Sequence, residues 1–334
     1  MNKRDAPFLA ANIFSEKGQP ASEFLPNTQP SKLFEAAEGI KIGVVGLSTK
    51  VTPQTATGFT DQLFPKYEFR EYLPFVVEES RKLREQGANC IILLGHLGAR
   101  CPSDLKHQNR TRKLEQHGCD EDELTKLIDE LPEGTIDAVV AGHIHEIAHH
   151  YHRNIPVVCS KNAGTYFNVL YLKFEKHSHK LRQTFIEGPI PICERLFENT
   201  GSCDYLFPEQ LKNAGKLVDW RFHGEPVIPS RRLDLEFDKW HTALEPFFTK
   251  LADNYVYLTR IRHQESELTN LFVDLIFDAA YSNDAVKVKP DFGLINTGTL
   301  RTTWLPGELV FKDIYAMIPF DNLLVTFKIL GANL

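Results

Sequence analysis

Short apolar runs alternate with amphipathic stretches over the first half of the chain, and this alternation predicts strands and helices in turn. The apolar runs have the length of buried strands and end at Gly or at polar turn residues. The stretches between them repeat apolar residues at helical spacing. The predicted elements are strands at 41–47, 89–96, 136–143, 155–160 and 168–175, with helices at 71–88 and 121–132. Strands and helices in this order predict an α/β fold.

The pattern changes near residue 188, where Pro, Gly and polar residues become frequent. We therefore divide the chain into an α/β region at 1–187, a linker or insertion with a helix at 188–252, and a second region at 253–334. The elements predicted beyond residue 188 are a helix at 235–252 that Pro246 interrupts, a helix at 265–281 with Ser266 as its N-cap, and a strand at 291–296.

Composition is that of a globular protein and narrows the possible partners. The 334 residues suffice for about two domains, and 42% hydrophobic with 25% charged residues is an ordinary balance. The net charge of −6 does not favour nucleic-acid binding. No apolar run approaches the roughly 18 residues of a membrane span, and MNKRDAPFLAANIF lacks the apolar core of a signal peptide. We expect no nucleic-acid partner, no membrane segment and no visible targeting segment, and the oligomeric state is left open.

The six cysteines do not form a CxxC pair, which weakens a zinc-finger or thioredoxin-like interpretation. Cys90 lies beside an apolar strand and is expected to be a buried thiol. Cys193 and Cys203 lie in a polar stretch where a disulfide is possible, and its formation is left open because the compartment is unknown.

Two predicted strands end in the same way, with Gly followed by His. ILLGH ends at His96, and VVAGH ends at His143 with His145 two residues later. The carboxyl ends of strands in an α/β sheet form the ligand crevice, and the glycines allow close backbone approach. Residues i and i+2 of an extended segment point to the same side, and neutral imidazole is a common metal ligand. We therefore expect the three histidines to converge on a metal centre.

Each of these motifs alone is also typical of a plain turn histidine. The run HHYH at 149–152 resembles a metal cluster, but it lies in a polar, charged stretch. We expect it to be a solvated loop or hairpin.

The ordered motifs resemble a known family. LGHLG (94–98), DAVVAGHIHE (137–146) and PVVCSKNAGTYFNVLYLKFE (156–175) resemble the later half of a calcineurin-like metallophosphoesterase domain, and more specifically that of the 5′-nucleotidase family. LINTGTLRTTWLPGELVFKDIYAMIPFDN (294–322) is similar to that family's C-terminal domain. The resemblance implies a metallophosphoesterase α/β sandwich followed by a second α/β or α+β nucleotide-binding domain, both partial.

The resemblance also implies a two-metal site, with zinc or manganese as the ions. By position, His96 and His143 match ligands of one metal, and His145 matches a ligand of the other. The family's Asp-x-His and GNHE-like elements, which carry further ligands, are not found in the chain. Its start resembles the strand that follows GNHE, and its end falls where the family continues. We expect a chain truncated at both ends, with an incomplete metal site.

The implied substrate contacts lie in the second region. Asn296, Gly298 and Arg301 match the family's nucleotide-contacting loop, and Phe320 matches an aromatic residue that stacks on the base. Arginine suits phosphate binding, and an aromatic face can hold any base. Without the family context, Arg301 is more typical of a surface residue and Phe320 of a core residue.

The implied activity is metal-dependent hydrolysis of nucleoside 5′-monophosphates by the intact protein, with this chain an incomplete and inactive fragment. A cyclic-nucleotide phosphodiesterase or a nucleotide-sugar hydrolase would use the same site. A non-catalytic ligand- or partner-binding protein is the alternative of another class. Members of the family are often extracellular, periplasmic or membrane-anchored, and the nucleotide, the metal and the compartment are left open.

Overall fold

A computed structural model describes residues 6–55, 67–101, 119–162, 164–201, 203, 213–261, 264–284, 286, 289–320 and 323–333. The chain divides into two compact units, Met1–Ile228 and Pro229–Leu334. Within the described ranges, no helix is long and apolar enough to cross a membrane.

The first unit is built from short strands and four helices in the described ranges. Its strands are β1 (Phe8–Leu9), β2 (Ile13–Ser15), β3 (Thr28–Gln29), β4 (Ser31–Glu35), β5 (Lys41–Ser48), β6 (Tyr67–Phe69), β7 (Cys90–His96), β8 (Ala138–Val140), β9 (Ile147–His152), β10 (Ile155–Ser160), β11 (Tyr166–Phe174), β12 (Leu181–Pro191), β13 (Arg195–Phe197), β14 (Leu217–Asp219), β15 (Arg221–Phe222) and β16 (Glu225–Pro226). Its helices are α1 (Ala21–Phe24), α2 (Thr52–Thr55), α3 (Leu73–Glu85) and α4 (Glu123–Glu130).

Six of these strands form the main sheet, in the order β4-β5-β7-β8-β10-β9. The four inner strands β5, β7, β8 and β10 are parallel, and β4 and β9 run antiparallel at the two edges. In this register Ser48 lies beside His96, and Leu94 lies beside Val140. The carboxyl ends of β5, β7 and β8 therefore meet at one edge of the sheet. The predicted α/β fold is confirmed.

Helices α3 and α4 share one core with the sheet because their apolar residues recur on a single face. Each fully buried side chain of this kind contributes roughly 1.5–3 kcal/mol relative to an exposed one. The fully buried members are Val45, Val76, Ile91, Leu93, Leu97, Leu124, Ile128, Val139, Ala148 and Val157. Helix α3 begins with Leu73 and Pro74. A proline is tolerated in the first turn because the backbone N–H that it lacks would have no partner within the helix there.

The HHYH run forms most of β9, which pairs with β10 as an antiparallel hairpin. The hairpin expectation is confirmed, but the expectation of solvation is wrong for part of the run. His150 is buried and His149 is half-buried, because alternate residues of an edge strand still face the packed side of the sheet. Farther along, β12 continues beyond residue 187 to Pro191 as the partner of β11.

Four cysteines form two disulfides. Cys193 pairs with Cys203, and Cys101 pairs with Cys119, a pairing that the sequence did not suggest. Cys90 is a buried free thiol, as expected, and burial raises its pKa to about 12.

The second unit contains the helices α5 (Arg231–Leu244), α6 (Glu267–Ser282) and α7 (Phe311–Met317) and an antiparallel pair of strands, β17 (Lys250–Asn254) and β18 (Gly307–Val310). The hydroxyl of Ser266 accepts a hydrogen bond from the backbone N–H of Thr269, so the predicted N-cap of α6 is confirmed. A small core packs α6 against α7 and the loop between them. Its buried members are Leu268, Phe272, Leu300, Trp304 and Met317.

Two expectations about this unit need correction. The helix predicted at 235–252 spans Arg231–Leu244, and a 3-10 turn at Glu245–Phe248 contains the predicted break at Pro246. The strand predicted at 291–296 is wrong, since that segment has no strand hydrogen bonding. A Cβ on Gly293 would lie 3.0 Å from Val273 of α6, so packing against a helix holds the segment in place.

Candidate functional site

The candidate site of the first unit lies where parallel strands end. His96 is the last residue of β7, and the chain leaves β8 at Val140 to reach His143 three residues later. The backbone N–H of Gly142 donates to the carbonyl of Leu97 over 3.1 Å, which ties the two exits together. A Cβ on Gly142 would lie 3.6 Å from the carbonyl oxygen of Gly95, so the two backbones approach closely here.

The structure brings His96 and His143 into contact. Their facing ring nitrogens, His96 Nε2 and His143 Nδ1, are 3.2 Å apart, and the ring centroids are 4.8 Å apart. The sharp turn falls on the histidine and not on the preceding glycine, because His143 itself has a positive φ of 72°. This left-handed backbone is uncommon for a residue with a side chain and aims the imidazole toward the end of β7.

The spacing of the two nitrogens suits two ligands of one metal ion. Nitrogens bound tetrahedrally to zinc at about 2.0–2.1 Å lie about 3.3 Å from each other. Burial lowers the pKa of His143, and the neighbouring His96 lowers it further. Neutral imidazole is the form that binds metals, so the pair fits half of a tetrahedral shell.

His145 lies on the same loop as His143, is exposed, and also has a positive φ, of 58°. Within the described residues, no group of three or more His, Cys, Asp or Glu side chains could hold a metal ion. The described part of the chain therefore offers a two-histidine pair and does not complete a shell around it. The ligand roles of the three histidines stay predictions.

A hydrogen-bonded group centred on the carboxylate of Glu123, which the sequence interpretation missed, lies near His143. Both carboxylate oxygens of Glu123, the first residue of α4, accept the hydroxyl of Thr49, at 2.9 and 2.8 Å. Tyr72 donates its hydroxyl to the same carboxylate and accepts the backbone N–H of Lys50 at 2.8 Å. Burial raises the pKa of Tyr72, and the bond to Glu123 raises it further. The Glu123 charge in turn raises the pKa of His143, although less than burial lowers it.

The predicted substrate residues of the second unit form two small groups. The side-chain oxygen of Asn296 accepts the backbone N–H of Gly298 at 2.8 Å, which closes a tight turn. The guanidinium carbon of Arg301 lies 4.8 Å from the centre of the Phe320 ring, a cation–π contact. Arg301 is exposed and Phe320 is half-buried, so neither is a core residue. Their roles in substrate binding stay predictions.

Comparison with known proteins gives independent support for the family. Residues 248–334 match the family model of the 5′-nucleotidase C-terminal domain. The chain is 23% identical over 350 residues to the cell wall protein Lmo0130 of Listeria monocytogenes, covering 99% of this chain and 39% of that protein. It is 24% identical over 341 residues to a 5′-nucleotidase of Vibrio parahaemolyticus, covering 95% of this chain and 53% of that enzyme.

The resemblance to the 5′-nucleotidase family is confirmed. A crystal structure of a 5′-nucleotidase precursor from Thermus thermophilus superposes with a TM-score of 0.58 at 16% identity, covering 94% of this chain and 53% of that one. At this identity the likeness shows the shared fold. The chain spans about half the length of most of the curated relatives it matches.

Proposed function

We propose that the chain is part of a metal-dependent 5′-nucleotidase, which hydrolyses nucleoside 5′-monophosphates to nucleoside and phosphate. The observation that carries the proposal is the facing pair His96 Nε2 and His143 Nδ1, 3.2 Å apart at the carboxyl edge of the sheet. The match of residues 248–334 to the 5′-nucleotidase C-terminal domain supports it.

In this proposal the first unit serves the phosphate. His96 and His143 hold one divalent ion, zinc or manganese, and His145 contributes to a second. Bound divalent ions would stabilise the negative charge on the oxygens of the phosphoryl group while it is attacked. The lowered pKa of His143 favours its neutral imidazole, which is the form that binds metal.

The second unit holds the nucleoside in this proposal. The ring of Phe320 stacks on the base, which accommodates any base because each has an aromatic face. Arg301, already in contact with that ring, loses little freedom when it pairs with an anionic group of the substrate. Asn296 and Gly298 shape the turn that precedes Arg301.

Metal binding is the first test. Zinc and manganese are titrated into the 334-residue chain by calorimetry, and into His96→Ala, His143→Ala and His145→Ala variants. His177→Ala is the matched control, since His177 lies exposed in the turn between β11 and β12. We expect the His96 and His143 variants to lose at least about tenfold in affinity, as removal of a ligand should. Equal affinity in all variants would remove the basis of the proposal.

Substrate turnover is the second test and separates the alternatives. Phosphate release is measured from AMP, a cyclic nucleotide and a nucleotide sugar, in the chain and in its Phe320→Ala and Arg301→Ala variants. Hydrolysis of AMP above the other two supports the nucleotidase. If the chain binds AMP without metal or turnover, the assay is repeated on a version extended by the family's Asp-x-His and GNHE-like elements, and continued inactivity there would favour a non-catalytic nucleotide-binding protein.

A further inference from the structure

Arg100 lies at the junction of the three segments that surround the histidine pair. It follows His96 by four residues, on the chain that leaves β7. Its backbone N–H and its Nη1 donate to the two carboxylate oxygens of Asp122, at 2.8 and 2.7 Å. Its Nε lies 3.7 Å from Oε1 of Glu146, the residue after His145. One guanidinium thus joins the β7 exit, the start of α4 and the end of the loop that carries His143 and His145.

Several contacts hold Asp122 and its neighbours firmly against the segment that follows β7. The side chain of Asp122 is only 15% exposed and immediately precedes Glu123. The carbonyl of Arg100 accepts the backbone N–H of Asp120 at 2.7 Å, and the adjacent disulfide Cys101–Cys119 links the same two segments covalently. The segment after His96 is therefore anchored to α4 by bonds that do not involve the histidines.

The histidine loop meets this anchored segment through close packing. Leu97 and Gly98 are buried, and Gly98 packs directly on Ile144, the residue between His143 and His145. The ion pair between the solvent-exposed side chains of Arg100 and Glu146 lies at the far end of the same loop. Because His143 has a strained left-handed backbone, contacts on both sides of it are needed to keep its imidazole in one orientation.

We infer that Arg100 is a positioning residue, which holds the His143–Glu146 loop against the β7 exit and so sets the spacing between the imidazoles of His96 and His143. It touches neither imidazole. The inference rests on the proposed function, because the spacing matters most if the pair binds one metal ion. Groups that orient metal ligands without contacting the metal commonly change metal affinity by about 10- to 100-fold.

The test compares Arg100→Gln with a matched control, Arg84→Gln. Arg84 also pairs with a half-buried aspartate, Asp137, at 2.5 Å, but at the opposite end of β7 and β8. Both variants lose an Arg–Asp pair in the same unit. The ring NMR signals of His96 and His143 are recorded in metal-free protein, and zinc affinity is measured by calorimetry.

We expect Arg100→Gln to shift the ring signals of both histidines and to weaken zinc binding about tenfold or more. Arg84→Gln should leave both readouts unchanged. Arg100→Lys keeps the charge near Asp122 but lacks the planar fork, so it should recover only part of the affinity. Unchanged ring signals in Arg100→Gln, or equal changes in Arg84→Gln, would overturn the inference.

Two outcomes separate this inference from the proposed function. If the wild-type chain binds no zinc, the metal-binding role proposed for the His96–His143 pair in this chain fails, and the ring signals of the metal-free variants still decide the role of Arg100. If Arg100→Gln does not fold, Glu146→Gln removes only the ion pair between Arg100 and the loop that carries His143 and His145, and it should shift the ring signals by itself. No shift in folded Glu146→Gln would count against the inference.

Discussion

Gly98→Ala should disturb the histidine pair through steric overlap alone. A Cβ at residue 98 would overlap Ile144 Cγ2, well within van der Waals contact distance, and would lie 3.4 Å from Ile144 Cβ. The γ2 methyl of isoleucine is fixed to Cβ, so it cannot swing away unless the side chain rotates or the backbone between His143 and His145 moves. Gly98 has an ordinary φ, and therefore backbone strain adds nothing to the effect.

The magnitude follows from the cost of an added methyl group in a packed site. Overpacking of this kind costs about 1–3 kcal/mol. The first unit spans Met1–Ile228, and in a unit of that size each 1 kcal/mol lowers Tm by about 2–4 °C. The expected fall in Tm is therefore about 2–12 °C.

A double-mutant cycle with Ile144→Ala identifies the cause. Unfolding in urea is measured for both single variants and for the double variant. Since alanine at 144 has no γ2 methyl, the cost of Gly98→Ala should drop by at least about 1 kcal/mol in that background. Gly142→Ala is the control, because a Cβ there meets its nearest neighbour at an ordinary 3.6 Å. Strictly additive costs would refute the steric reasoning.

Three further predictions concern groups outside the histidine pair. Tyr72→Phe removes a buried hydroxyl that donates to the Glu123 carboxylate, so the free energy of unfolding in urea should fall by about 1.5–3 kcal/mol; no change would mean that water replaces the hydroxyl. Burial lowers the pKa of His149 below its ordinary value of 6.5, so below that pH the unfolded chain binds a proton that the folded chain resists. Stability should be full above about pH 6.5 and decline below it, and His149→Gln should flatten the decline measured by urea unfolding; an unchanged slope would contradict this. Replacing Cys193 and Cys203 together by serine opens a disulfide between residues 10 apart in sequence and should cost about 2–3 kcal/mol, a result that an unaltered thermal melt would exclude.

The regular elements were predictable where one local pattern decides them. The apolar runs at 41–47 and 89–96 became β5 and β7 almost residue for residue, because inner parallel strands of an α/β sheet are continuous apolar runs. The helix capped by Ser266 was predictable for a similar reason, since the cap and the apolar face lie within one stretch of chain.

The predictions from sequence were wrong where residues distant in the chain decide the local structure. The segment 291–296 has an apolar, strand-like composition, yet it packs on α6 and finds no strand partner among the described residues. The polar run HHYH predicted solvent exposure, yet His150 is 3% exposed, because the fold pairs this strand with β10.

The residues of the candidate site also divide into those that the sequence predicts and those that it does not. His96 and His143 could be found in the sequence, because each follows a glycine at the end of an apolar strand and parallel strands end at a common edge. Thr49, Glu123 and Arg100 could not, since a threonine at residue 49 and a glutamate 74 residues later share no local pattern.

The sequence by itself determined the buried strands, the helix capped by Ser266 and the family resemblance, because hydrophobic periodicity and short motifs act over a few residues. Only the tertiary structure decided that two imidazole nitrogens stand 3.2 Å apart and that Arg100 joins the segments beside them. Such distances depend on strand order, register and loop packing, which arise from contacts between residues far apart in the chain.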